Sequence, residues 1–221
     1  FKILDIMECE INNKEVDLSK LCGICYKEDG NWKSNASVPF DINKLPWPDR
    51  TYFNEHPSRY RYLDLEHSAW VRTAYCCPYK CKFCQRNKMN SGKYSTRDIE
   101  DVVKEIEQIK ADNIYIADDD FLFDIGRLNR FVELIKDRNI KKNYICYGRA
   151  DFISKNRDMM AKLKEIGLYY VLVGLESVEN KYLDDYNKKT NINNNIDSIR
   201  ICKELGINLM GMFIIDLDFT R

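Results

Sequence analysis

Cys77-Pro78-Tyr79-Lys80-Cys81-Lys82-Phe83-Cys84 places three thiols in the spacing C-x3-C-x2-C. On its N-terminal side, residues 69–75 read as a β-strand, so the loop is expected at that strand's C-terminal end. In parallel α/β folds this edge carries the chemistry. On its C-terminal side a regular alternation begins. Ile99, Val102, Val103, Ile106 and Ile109 share one helical face, with Ser95 and Thr96 as N-cap candidates and Asp98 in the first turn. Residues 113–117 form a short β-rich run, and Leu128, Phe131, Val132 and Ile135 mark the next helix. The pattern repeats with a strand at 144–147, then a helix marked by Met159, Met160, Leu163 and Ile166 and stopped at Gly167. A strand at 169–173 comes after it. Next come a helical face of Ile196, Ile199, Cys202 and Leu205, closed by Gly206, and a fifth strand at 207–215. Strands that are apolar nearly throughout, alternating with helices, predict a parallel α/β architecture, either a barrel or an open sheet. The Asn-rich run at 191–195 reads as a loop or helix start.

Composition narrows the function. In 221 residues, 44% are hydrophobic and 32% charged, which excludes disorder. Thirty-five basic residues balance 35 acidic ones, so no global field favours nucleic acid or an anionic membrane. No run approaches the roughly 18 apolar residues of a membrane span. No signal peptide opens the chain, and a cytoplasmic location is expected. Nine cysteines without an export signal point to metal or redox chemistry.

Residues 1–65 read as a linker segment preceding a core domain at 66–221. They hold four of the five prolines, two of them in Leu45-Pro46-Trp47-Pro48-Asp49-Arg50. Cys22-Gly23-Ile24-Cys25 is read as part of a hairpin turning at Asp29-Gly30 rather than as a redox pair, and Cys9, Cys146 and Cys202 as packed small hydrophobes. His56 and His67 are read as surface or structural residues. With no initiator Met, and with a strand so near its last residues, the chain is expected to be an excerpt with Trp47 and the edge of the fifth strand bare.

Three soft thiolates on a short loop suit iron–sulfur or zinc. A structural zinc wants four ligands, and Cys76 is too close to Cys77 to share one comfortably. A [4Fe–4S] cluster held by three cysteines leaves one iron open to an external chelate. A zinc loop, or an iron–sulfur module for sensing or electron transfer, stands as the non-catalytic alternative.

The spacing, its place after the first strand and Phe83 before the last cysteine resemble the radical S-adenosylmethionine (SAM) superfamily, over about residues 67–221. That resemblance implies a partial (βα)6 TIM-like barrel with strands one to five in this chain. It implies a [4Fe–4S] cluster on Cys77, Cys81 and Cys84, with SAM chelating the open iron and Phe83 beside it. The chain departs from the family's Gly-Gly-Glu, carrying Ala117-Asp118-Asp119-Asp120-Phe121, which is similar to the branch that includes cobalamin-dependent enzymes. Asp118 or Asp119 is then expected to hold the SAM ammonium and Arg149 the carboxylate. Glu176 or Ser177, in Gly174-Leu175-Glu176-Ser177, is expected to hold ribose hydroxyls or the amino group. The Pro-Trp-Pro stretch resembles that branch's connector from a cobalamin domain, so any cobalamin would come from a domain not in this chain. The resemblance further implies a flavodoxin- or ferredoxin-like one-electron reductant and a 5′-deoxyadenosyl radical, used for methylation or ring formation. Tyr75, Tyr147 and Met212 are expected near the cofactor.

Overall fold

The computed structural model describes residues 2–215. Helix α1 (Lys2–Ile11) is followed by a hairpin of β1 (Cys25–Glu28) and β2 (Asn31–Ser34). Its turn uses positive φ at both Asp29 and Gly30, the Asp-Gly chemistry of a two-residue hairpin loop. Next come α2 (Thr51–Glu55) and a small hairpin of β3 (Arg61–Tyr62) and β4 (Leu65–Glu66). The core then runs β5 (Ser68–Val71), β6 (Ala74–Tyr75), β7 (Ser95–Thr96), α3 (Ile99–Gln108), β8 (Asn113–Ile116), α4 (Ile125–Asp137) and β9 (Asn143–Gly148). It continues through α5 (Ala150–Lys155), α6 (Arg157–Glu165), β10 (Leu168–Glu176), α7 (Asn180–Asp185) and α8 (Ile192–Leu205) to β11 (Asn208–Phe213).

Strands β5, β8, β9, β10 and β11 pair in parallel and in that order. A doubly wound sheet would reverse its strand order at a switch point. Strictly sequential neighbours are instead the winding of a (βα) barrel, here open between β5 and β11. Alternate strand residues such as Ile114, Ile116, Cys146, Val171 and Val173 pack under the helices with Val103, Ile106, Phe131 and Met160. The opposite, concave face carries Tyr115, Ile145 and Leu172, with Tyr62, Tyr147 and Met212 against them. Two periodicities thus bury one core and line one chamber.

Residues 45–50 lie along α3. Trp47 is half-buried rather than bare, and its Nε1 donates to Asp101 at 3.2 Å. Arg50 donates to the Trp70 carbonyl at 2.8 Å and pairs at 2.6 Å with Glu105, which also receives Arg97 at 2.6 Å. Among the described residues no helix is long and apolar enough to cross a membrane.

Three local expectations need correction. The strand read over 69–75 breaks after Val71, because the Asp118 carboxylate takes the backbone N–H groups of Thr73 and Ala74 at 2.7 and 2.8 Å. Ala74 and Tyr75 then pair with Ser95 and Thr96, which are strand rather than cap. Asp98 is the true N-cap of α3, accepting from Glu100 and Asp101 N–H at 2.8 and 3.0 Å. Asp98→Ala is expected to lower stability by about 1 kcal/mol in a denaturant titration. The buried stripe of α8 is Asn195, Ser198, Ile201 and Cys202, leaving Ile196 and Ile199 exposed. Asn195 draws that stripe inward by donating to the carbonyls of Leu175 and Ser177, at the end of β10.

Candidate cluster and cofactor site

The C-terminal ends of the parallel strands open onto a cavity of about 460 Å³. Cys77, Cys81 and Cys84 all line it, together with Phe83, Asp118, Asp119, Asp120, Arg149, Gly174, Glu176 and Lys188. On the concave face of the sheet, Tyr115, Tyr147 and Met212 also line it, as do the exposed Trp70 and the basic side chains of Arg72 and Arg86. Tyr75 is elsewhere, in an apolar hollow with Val38, Phe40 and Leu45.

Adjacent cysteines part ways at residue 76. Cys76 adopts φ +72°, is buried, and its thiol donates to the Arg86 and Met89 carbonyls at 3.0 and 3.3 Å. Cys77 therefore faces the cavity while Cys76 ties the loop to its own return. Burial pushes the Cys77 thiol up to about 11, so it ionises near neutrality only beside a cation such as a metal. The rest of the loop is braced from the α7 end. Lys82 N–H donates to the Tyr186 carbonyl at 2.9 Å, Asn187 donates to the Lys80 carbonyl at 2.8 Å, and Phe83 meets Tyr186 edge-on. The Arg86 backbone N–H reaches Cys84 Sγ at 3.4 Å, the kind of hydrogen bond that tunes a cluster sulfur. Among the described residues no three His, Cys, Asp or Glu side chains converge as a single ion would require. A cubane cluster bonds each thiolate through a different iron, and the three thiols that line this one cavity are the donors such a cluster would take.

Three consecutive carboxylates leave β8 with different fates. Asp118 is fully engaged, receiving the Thr73 hydroxyl at 2.5 Å as well as two backbone N–H groups. Asp119 pairs with Arg86 at 3.5 Å on the cavity rim. Asp120, which no sequence signal singles out, is 2% exposed, and neither of its oxygens has a hydrogen-bond partner. Burial raises its acid to about 8, against the pull of Arg149 and Lys188. A buried carboxylate without a hydrogen-bond partner is costly, and it is a candidate contact for a bound cationic group.

Arg149 is buried and already committed. It donates to Asp151 at 2.9 Å and to the Lys188 carbonyl, and stacks 3.6 Å over Tyr79. Its Nη1 lies 3.9 Å from Cys81 Sγ. Glu176 is also buried, with φ +61° beside a register shift in β10, and Lys188 Nζ donates to it at 2.8 Å. A Cβ at Gly174 would collide with both partners of that pair. Gly174→Ala is accordingly expected to cost about 1–3 kcal/mol, read as a lowered denaturant midpoint. Ser177 does not line the cavity, and its hydroxyl accepts the Glu179 N–H at 3.1 Å in a local turn. Lys188 and Asp120 are the site residues that sequence alone misses. Lys188 comes after a helix too short to announce itself, and Asp120 is hidden among neighbours of its own type.

Comparison with known proteins gives concordant matches. The family model described as "Radical SAM superfamily" matches residues 71–218, more than half of the chain. The hopanoid C-3 methylase of Methylococcus capsulatus is 24% identical over 157 residues, covering 71% of this chain and 30% of that protein. A putative methylthiotransferase of Methanocaldococcus jannaschii is 30% identical over 160 residues, covering 67% of this chain and 35% of that protein. The solved structure of the cobalamin-dependent SAM radical enzyme OxsB, with aqua-cobalamin and SAM bound, superposes with a TM-score of 0.79 at 24% identity. The match covers 96% of this chain and 32% of that one. The chain thus spans about a third of the length of these relatives.

Proposed function

This chain belongs to the radical SAM superfamily, and from that premise we propose that residues 66–221 form a radical SAM core. In it Cys77, Cys81 and Cys84 hold a [4Fe–4S] cluster and the adjoining cavity holds SAM. The observation that carries this reading is the meeting, in one cavity, of three thiols and the unpartnered buried carboxylate of Asp120. Bound together, cluster and SAM supply reductive cleavage of the C5′–S bond, giving methionine and a 5′-deoxyadenosyl radical that removes hydrogen from substrate.

The chain's own residues divide the remaining work. Asp120 pairs with the SAM ammonium, a charge-assisted contact that satisfies its orphaned oxygens. Asp119 offers a second acceptor at the rim. Arg149 and Lys188 present the positive side of the cavity to the SAM carboxylate, while Arg149 also holds the cysteine loop against Tyr79. Gly174 leaves backbone open to close approach, and Glu176 positions Lys188. Phe83 covers the cysteine loop beside Lys188. Tyr115, Tyr147 and Met212, packed together on the concave face, offer uncharged surface to the substrate and limit water beside the radical.

The wider reading is a radical methyltransferase or cyclase of the cobalamin-associated kind, in which residues 1–65 link the core to a cobalamin-binding domain outside this chain. A flavodoxin- or ferredoxin-like carrier supplies the electron, and the protein works in the cytoplasm. The test is electron paramagnetic resonance of anaerobically reconstituted, reduced protein. Addition of SAM should change the cluster signal, and a signal indifferent to saturating SAM would refute SAM binding at the cluster.

A further inference from the structure

Residues 80–93 carry five basic side chains, Lys80, Lys82, Arg86, Lys88 and Lys93, and no acidic one, in a chain whose charges cancel overall. All five are exposed. Lys80, Lys82 and Lys88 form no ion pair among the described residues, whereas Arg86 is turned toward Asp119. The run contains two of the three cavity cysteines, with Lys80 and Lys82 flanking Cys81. Phe83, next to Lys82 in the chain, is 45% exposed and also lines the cavity, an apolar side chain beside cationic ones. Besides Asp119, the acids Asp184 and Asp185 lie close in α7, just before Tyr186, whose carbonyl accepts the Lys82 N–H. Lys181 and Lys189 lie in the same segment and offset them.

We propose that residues 80–93 are the docking surface for a small acidic one-electron carrier protein, seated on Phe83 and steered by Lys80, Lys82 and Lys88. The proposal rests on the reading that the cysteines hold a cluster, and it adds where and by what charge the carrier binds. An apolar centre with a charged rim is the anatomy of a transient protein interface. Complementary charge chiefly raises the encounter rate and picks the partner, and it weakens with salt. The cysteine loop is where such a partner shortens the electron's path. One electron passes, the carrier is oxidised by one and the cluster reduced by one, and no atom is transferred. A nucleic-acid strand would also seek cations, but only Phe83 offers a stacking face among the exposed residues of this run.

The experiment titrates oxidised flavodoxin into reconstituted protein at low and high ionic strength. It is repeated with the Lys80→Gln/Lys82→Gln/Lys88→Gln variant and with Lys110→Gln/Lys141→Gln, whose lysines lie at the opposite ends of the strands. In parallel, cluster reduction is timed with reduced flavodoxin and with titanium(III) citrate. The triple variant is expected to bind flavodoxin at least tenfold more weakly at low salt, with most of the salt dependence gone. Its reduction by flavodoxin should slow to match, its reduction by titanium(III) citrate should be unchanged, and the control variant should behave as wild type. Equal affinity in the triple variant and wild type overturns the proposal. So does a single-stranded oligouridylate that competes flavodoxin off and loses binding in the triple variant. Should titanium(III) citrate find no cluster to reduce, the cluster reading falls, while the binding titration still decides the docking surface.

Discussion

Cys77→Ser is expected to abolish the cluster, and Cys76→Ser, one residue away, to leave it intact. Reconstituted wild-type protein should carry about four irons and four sulfides, and Cys77→Ser close to none. Both thiols stand a few residues before Cys81, and spacing alone leaves either able to be the first ligand. The backbone separates them. Positive φ at Cys76 turns its side chain into the protein, where its thiol meets two carbonyls, and the next residue is thereby delivered to the cavity. Cys76→Ser keeps a donor for the same carbonyls, so the loop should hold its shape. Iron and acid-labile sulfide analysis decides the matter, and the register fails if the two variants exchange behaviours.

Asp120→Asn is expected to stabilise the cofactor-free protein while weakening its hold on SAM. Burial lifts the folded-state acid from 3.8 to about 8, so folding must protonate this carboxyl near neutrality. At pH 7 that costs on the order of 4 kcal/mol. The sign is set by the two protonation equilibria. Below the unfolded value the group is neutral in both states and costs nothing, and the penalty grows as pH rises toward the folded value. The stability of wild-type apoprotein should therefore fall between about pH 4 and 8 on this group's account, and that fall should be missing in Asp120→Asn. Allowing for an amide left poorly partnered, the variant should gain on the order of 1–3 kcal/mol at pH 7 in a denaturant titration. Its SAM affinity should drop by well over tenfold, because it loses the charge that meets the ammonium. A variant that is less stable than wild type and binds SAM as well would remove Asp120 from the site.

The parallel strand–helix alternation and the cysteine loop were readable because each rests on a local signal. Leu128, Phe131, Val132 and Ile135 mark a helix face, and all four are buried. Periodicity alone left barrel and open sheet undecided, because that choice depends on which strands neighbour one another. The family resemblance pointed to a partial barrel, and the pairing of β5 through β11 in order agrees with it. The break after Val71 was hidden, since its cause is Asp118, 45 residues further on from Thr73. Of the residues placed at strand ends from sequence, Asp118, Asp119, Arg149 and Glu176 line the cavity and Ser177 does not. Arg149 looked like a free fork for a carboxylate, yet Asp151, the Lys188 carbonyl and the Tyr79 ring already engage it. Arg149→Ala therefore strikes the cysteine loop as well as the cofactor pocket. Ser177 was placed by its position near the end of β10, but its hydroxyl turns back to the Glu179 N–H. An acid among three acids is indistinguishable until burial and hydrogen bonding sort them, which is why Asp120 emerged only in three dimensions.

The most direct measurement is the anaerobic incubation of reconstituted protein with SAM and titanium(III) citrate, followed by quantification of 5′-deoxyadenosine and methionine. Both should accumulate in wild type, and neither should form in Cys77→Ser, Cys81→Ser or Cys84→Ser. A wild-type protein that holds a full cluster and binds SAM yet yields no 5′-deoxyadenosine, or a Cys81→Ser variant that yields as much as wild type, would contradict reductive SAM cleavage at this loop.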